Sequence, residues 1–283
     1  MSDYISYILF RAFGFVIRKL PLVLNSFLGR RIGDLFYYFD LRHKALVYAN
    51  IQTALGNRLS LEEISRATRM FYEHFGQSLI EVFLMPVVNE RYLKKYISFE
   101  GQQFIQEALK KKKGVILLSM HVGSWELVNI ACARQGFPFN FIVRQQPRLR
   151  RLEELLNSYR KSQGCKLIQR ENQGRHLIEA LKDNEVVGMT VDQGGASGMN
   201  ASFFGKDASM ATGAFRLALK YETVILPAYC ARIKGPYLKI IIEQPFEVSK
   251  SSDIMQDIQG NLGRLMPIFQ RYIEKYPYDY LWS

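Results

Sequence analysis

Six short apolar runs lie between residues 114 and 243: "GVILLSM" (114–120), "FNFIV" (139–143), "CKLI" (165–168), "VVGMTV" (186–191), "VILPAYC" (224–230) and "LKIIIE" (238–243). They are too short for buried helices and mostly lack the polar alternation of a half-exposed strand. Between the first five lie helix-like stretches such as "LRRLEELLNSYRKSQG" and "QGRHLIEALKDN". Continuous apolar strands alternating with helices require a sheet covered on both faces. The expected fold is therefore α/β, with a mixed, largely parallel central sheet flanked by helices. "CARIKGPYLKIII" has the pattern of a hairpin, which places an antiparallel pair near the end. A final helix is expected over roughly 253–275.

The first third has a different rhythm. Residues 24–39, 41–55 and 60–85 carry apolar residues at three- and four-residue spacing. Ser60 and Glu63 form the signature of a capping box, and Pro86 ends that helix. With 283 residues, 48% of them hydrophobic, the chain can build one large domain or a domain with an appendage. We divide it into an N-terminal helical, membrane-associating region (1–90), packed on an α/β core (91–283).

The membrane expectation comes from residues 4–17, "YISYILFRAFGFVI". Arg11 interrupts this run, and Arg18, Lys19 and Pro21 end it. A bilayer span needs about 20 apolar residues, and no small-residue cleavage site of the signal-peptide kind follows. A helix lying in the membrane interface fits aromatic residues flanked by arginines. A core helix is the alternative.

The formal net charge of +12 directs the chain toward anionic surfaces. Nothing resembles a helix-turn-helix, zinc finger or RNA-binding signature, so nucleic acid is not the expected partner. The "KKKK" at 110–113 closes a helix before Gly114, where lysines complement the helix dipole. The stretch 143–175 holds nine Arg or Lys against three Glu, a surplus suited to lipid phosphates or an acidic carrier protein, or to a solvated helix face. Cys132, Cys165 and Cys230 show no metal-ligand spacing and no disulfide framework, which fits a reduced cytoplasmic setting without a metal.

The chemistry centres on "LLSMHVGSWEL" (117–127). A buried strand should end near Met120, and a helix should open at Ser124 as N-cap and close before Gly136. His121 then lies at the C-terminal edge of the sheet, where open α/β folds bind ligands. Residues five apart within one helix face apart by about 140°. His121 and Glu126 can therefore cooperate only if the histidine precedes the helix, with Gly123 letting the chain turn back. A carboxylate on one imidazole nitrogen would make the other a base for a hydroxyl attacking a carbonyl. The competing reading is a turn histidine beside a glutamate that serves the helix dipole. Backbone N–H groups near Gly123 are candidates for stabilising an oxyanion.

"GVILLSMHVGSWEL" resembles the His-x-x-x-x-Asp/Glu block of the lysophospholipid acyltransferase superfamily. Its flanks are most similar to the lipid A biosynthesis late acyltransferase family, which includes phosphatidylinositol mannoside acyltransferases. Further matches follow in order: "FIVRQQPRLRRLEELLNSYRKSQG" with Arg144, "VGMTVDQGG" with Asp192 and Gln193, "ASFFGKDASMATGAFRLALKYETVILP", and the closing "YPYDYLW". The resemblance implies a membrane-associated O-acyltransferase at the cytoplasmic face of the inner membrane, peripheral or monotopic. The donor would be an acyl thioester on acyl carrier protein or coenzyme A, and the acceptor a lipid hydroxyl. His121 would be the general base and Glu126 its orienter. Arg144 would contact phosphate or donor, and Asp192, Gln193 and Gly123 would line the same cleft. No cofactor is implied. Gly194 and Gly195 stand where family members often carry a further acidic residue, so the acceptor stays open between lipid A and other lipids. A non-catalytic lipid- or carrier-binding protein on the same fold, and a thioester hydrolase, are the alternatives.

Overall fold

The computed structural model describes residues 2–143, 147–170 and 173–282. Four helices come first: α1 (Ser2–Lys19), α2 (Leu22–Phe39), α3 (Leu41–Leu55) and α4 (Leu61–Leu84). Pro21 separates the first two, because it cannot donate to the α1 ladder yet suits the start of α2. The expected capping box opens α4: the Ser60 hydroxyl accepts from Glu63 N–H, and the Glu63 carboxylate accepts from Ser60 N–H.

The core then alternates: α5 (Glu90–Tyr96), β1 (Ile97–Glu100), α6 (Gln102–Lys110), β2 (Val115–Ser119), α7 (Trp125–Arg134), β3 (Phe139–Val143), α8 (Arg150–Ser162), β4 (Lys166–Gln169), α9 (Gln173–Lys182) and β5 (Val186–Thr190). It continues through β6 (Met199–Phe203), β7 (Lys206–Met210), α10 (Gly213–Tyr221), β8 (Val224–Lys234), β9 (Tyr237–Ile242) and α11 (Ile254–Lys275). Seven strands form one sheet in the order β1-β9-β8-β2-β5-β3-β4. Only the expected β8–β9 hairpin is antiparallel; every other pair in this sheet is parallel. Four consecutive residues of β2, and eight of β8, are buried. Successive strand residues point to opposite faces, so both faces of the sheet centre are covered. Among the covering helices, α6 packs on β2, β8 and β9, α9 on β4 and β5, and α10 on β8.

Two strand features escaped the sequence reading. The edge strand β1 is only "ISFE". The separate β6–β7 hairpin is rich in polar residues and turns at Phe204 and Gly205, both at positive φ, as a two-residue hairpin loop requires.

The hydrophobic core is continuous from α3 and α4 (Val47, Ile51, Ile64, Phe71) into the sheet (Ile116, Leu118, Val187, Leu226). The helical region is thus packed on the α/β core through shared side chains. Backbones of α2 and α4 approach closely where glycines face each other. A Cβ on Gly33 would lie 2.6 Å from the Tyr72 carbonyl carbon, and one on Gly76 would lie 2.6 Å from Gly33 N. In contrast, α1 and α2 leave large apolar side chains exposed, including Leu9, Phe13, Phe15, Phe27 and Phe39. Among the described residues, no helix is long and apolar enough to cross a membrane.

The glycine contact gives a stability prediction. Gly33→Ala should destabilise by about 1–3 kcal/mol through overpacking against fixed backbone. Gly263→Ala, on the exposed side of α11 with open space around it, should be neutral or stabilising by up to about 1 kcal/mol. Urea denaturation of the two variants checks the contrast, and equal midpoints would remove the packing argument.

Candidate active site

The site forms because β2 and β5 are parallel neighbours in register. Ser119, the last residue of β2, pairs with Thr190, the last of β5. Two residues beyond each strand end stand His121 and Asp192. Asp192 grips the histidine twice: Oδ1 lies 2.9 Å from His121 Nδ1, and Oδ2 accepts the His121 backbone N–H at 2.9 Å. The carboxylate side chain is buried (4% exposed), while the imidazole is partly open (23%). An ionised carboxylate can only accept, so Nδ1 carries the hydrogen, and in the neutral ring Nε2 is the acceptor. Trp125 stands edge-on to the imidazole, with ring centroids 6.3 Å apart. Burial, followed by the nearby Asp192 charge, pushes the Tyr280 hydroxyl well above the ordinary phenol range.

Sequence reading expected Glu126 on the imidazole. Instead, the carboxylate hydrogen-bonded to His121 is Asp192, and Glu126 binds Arg160 of α8. Arg160 Nε donates to Glu126 Oε2 at 3.0 Å and an η-nitrogen to Oε1 at 2.5 Å. Both side chains are mostly buried. The guanidinium also donates to Asn157 Oδ1 and lies over the Phe141 ring. Two geometric facts separate Glu126 from the histidine. The Nδ1 position is already filled from β5, and the first turn of α7 points Glu126 toward α8.

Gly123 makes the turn at φ +54°, and a Cβ there would meet Cys230 O at 2.7 Å. Its N–H donates to Asp279 O at 2.7 Å, so it is not free to serve as an oxyanion donor. Ser124 stands at the N-cap position of α7, but its side chain makes no capping bond. The hydroxyl is buried without a hydrogen-bond partner among the described residues. Gln193 follows Asp192 and is exposed. Arg144 lies outside the described residues. Among those described, no group of three or more His, Cys, Asp or Glu side chains is placed to hold a metal ion.

Sequence reading placed Asp192 beside the cleft, but not on His121, and it missed Arg160 as a site residue. The first was within reach, since both residues follow the ends of apolar runs. Which runs are neighbours in the sheet was not. Arg160 carried no signal beyond its place in a basic stretch.

The arrangement is a histidine held in one tautomer by a buried carboxylate, at an open sheet edge, with an arginine fixed by a second carboxylate on the adjoining helix. It can withdraw a proton from a hydroxyl bound at Nε2.

The chain is similar over 175 residues (23% identical) to a lipid A biosynthesis palmitoleoyltransferase of Escherichia coli K12, covering 62% of this chain and 56% of that protein. It is 23% identical over 177 residues to a phosphatidylinositol mannoside acyltransferase of Mycolicibacterium smegmatis, covering 60% of this chain and 56% of that protein. The match to a lipid A biosynthesis lauroyltransferase of Escherichia coli K12 is longer: 23% identity over 270 residues, 93% of this chain and 85% of that protein. The matched part thus spans little more than half the length of the first two relatives. The profile described as "Bacterial lipid A biosynthesis acyltransferase" matches residues 1–283. The sequence blocks, the strand-end histidine and this full-length match converge: the chain belongs to the bacterial lipid A biosynthesis acyltransferase family.

Proposed function

We propose that the protein is a membrane-associated O-acyltransferase. It moves a fatty acyl chain from an acyl thioester, on acyl carrier protein or coenzyme A, to a hydroxyl of a lipid A-type or other glycolipid acceptor. The observation that carries this reading is the two-point hold of Asp192 on His121 at the ends of adjacent parallel strands.

In this mechanism His121 Nε2 takes the acceptor's hydroxyl proton as the oxygen attacks the thioester carbon. Asp192 keeps the ring in the productive tautomer and stabilises the imidazolium that forms. The tetrahedral oxyanion collapses, the carbon–sulfur bond breaks, and the thiolate takes a proton from the imidazolium. Glu126 acts through Arg160, holding the guanidinium as a fixed positive charge for a phosphate or the developing oxyanion. The bonds to Glu126 and Asn157 use three of the guanidinium's five N–H groups.

A direct transfer is favoured over an acyl-enzyme. The three cysteines are buried, and burial pushes each thiol up to about 12, so little thiolate exists near neutrality. The Ser124 hydroxyl is buried without a base hydrogen-bonded to it.

Membrane association at the cytoplasmic face of the inner membrane is part of the proposal. Its support is the exposed apolar surface of α1 and α2, beside which cations lie over aromatic rings: Lys19 over Phe15 and Arg31 over Phe27. Aromatic and aliphatic groups flanked by cations suit an anionic interface.

Three outcomes are expected. With lauroyl and palmitoyl thioesters and a bacterial membrane-lipid extract, the wild type should form an acylated lipid. His121→Ala and Asp192→Asn should each lower turnover by about 10²–10⁴-fold; wild-type rates in folded variants would end the base assignment. N-ethylmaleimide at pH 7.5 should leave turnover unchanged and label the cysteines only after denaturation; rapid inactivation would reopen a thiol route. Leu9→Asp and Phe15→Asp should each weaken flotation with anionic liposomes by about tenfold or more, from roughly 1.5–3 kcal/mol of lost apolar burial; unchanged flotation would remove α1 from the membrane contact.

A further inference from the structure

A second histidine–carboxylate pair lies behind the His121 turn. His74 of α4 directs Nδ1 at Asp279 Oδ1, 2.8 Å away. Asp279 is nearly fully buried and His74 mostly so. The other carboxylate oxygen of Asp279 accepts the backbone N–H of Arg232 in β8 at 2.9 Å. The buried Arg232 guanidinium in turn forms a two-pronged pair with Glu81 of α4, at 2.7 and 2.8 Å. A helix from the N-terminal region and a central strand thus both grip one residue near the C-terminus.

From Asp279 the chain runs along the catalytic turn. Asp279 O accepts the Gly123 N–H, Tyr280 bridges Val122 in antiparallel fashion, and Leu281 N–H donates to His121 O at 2.9 Å. The Ser78 hydroxyl, one turn of α4 beyond His74, lies 3.3 Å from Gly123 O. The Asn50 amide ties down Trp282 O at 2.8 Å, and the Trp282 indole N–H donates to Pro277 O. Both backbone polar groups of His121 are therefore spoken for: its N–H by Asp192 and its carbonyl by residue 281 of this strap.

We propose that His74 and Asp279 are positioning residues for acyl transfer. Their pair locks the 279–282 strap, and the strap sets the backbone from which the His121 imidazole reaches Asp192. The inference rests on the reading of His121 as general base. A displacement of about 1 Å at a catalytic group costs up to about 10²-fold in rate, so a strap that fixes the carbonyl of His121 bears directly on turnover. His74 and Asp279 line a small pocket together with Phe71, Phe75, Trp125 and Leu281. The Ser78 hydroxyl beside it is engaged with the carbonyls of His74 and Gly123 and with the Arg232 guanidinium. A reaction at the His74 ring is the outcome that the asparagine variant below separates from a positioning role.

The test compares full-length wild type, His74→Asn and His74→Phe by two independent readouts. Asparagine sets an N–H near the Nδ1 position, whereas phenylalanine keeps a ring and loses the donor. The first readout is amide hydrogen exchange, by mass spectrometry, of peptides covering 119–125 and 279–282. The second is kcat and KM with lauroyl thioesters of coenzyme A and acyl carrier protein, plus a membrane-lipid extract. His74→Phe should exchange faster in both peptides by about tenfold. It should lose about 10–100-fold in kcat with KM within about twofold. His74→Asn should recover exchange to within about threefold and restore most of kcat. A folded His74→Phe with wild-type exchange overturns the proposal. So does a His74→Asn with normal exchange but the kcat of the phenylalanine variant, because the ring would then act in the reaction itself. Should His74→Phe fail to fold, Asp279→Asn weakens the same bonds at constant volume and is read by the same criteria. Absence of any thioester turnover by wild type would count against His121 as base, while the exchange readout would still decide whether the pair holds the turn.

Discussion

The site depends on one buried carboxylate satisfying two donors of the same residue. Asp192 is fixed because β5 is buried beside β2 in parallel register, and it spends one oxygen on the imidazole and the other on the backbone of His121. An unpaired charge at that depth would be costly. Pairing it with both groups of one residue removes the cost and leaves His121 little freedom at its N-terminal side. The rest of the site follows from that anchor. Asp192 occupies Nδ1, and the Glu126 carboxylate is satisfied by Arg160 instead.

The helical region is part of the same arrangement. Facing glycines let α2 and α4 pack backbone to backbone, so the surface bearing exposed apolar side chains is rigidly joined to α4. In turn, α4 reaches the His121 turn through Ser78 and through the His74–Asp279 pair. The helix that supports this exposed surface on one side therefore also makes hydrogen bonds to the backbone and side chains around His121 on the other.

Much of this architecture was legible in the residues. All six apolar runs appear as strands at or near their expected positions; those apolar on both faces occupy the sheet interior, while "CKLI", which carries a lysine, forms the partly exposed edge strand β4. The Ser60–Glu63 box marked a helix start because both reciprocal bonds are local. Local rules failed where the deciding contact was distant. Ser124 sits at an N-cap without capping, since the turn is shaped by Cys230 and Asp279 rather than by its own hydroxyl. The β6–β7 hairpin was hidden because its strands are short and polar, and its turn signal is one glycine beside a phenylalanine.

By itself the sequence determined the α/β class, the helical first third, the place of His121 at a strand end and its chemical type. These rest on periodicity and on groups a few residues apart. Only the tertiary structure decided which carboxylate the histidine uses. Glu126 is five residues away and Asp192 seventy-one, yet strand order and register put the distant one at 2.9 Å and turn the near one toward Arg160. Strand order is set by how helices cover the whole sheet, and that is a property of the packed chain rather than of any stretch of it.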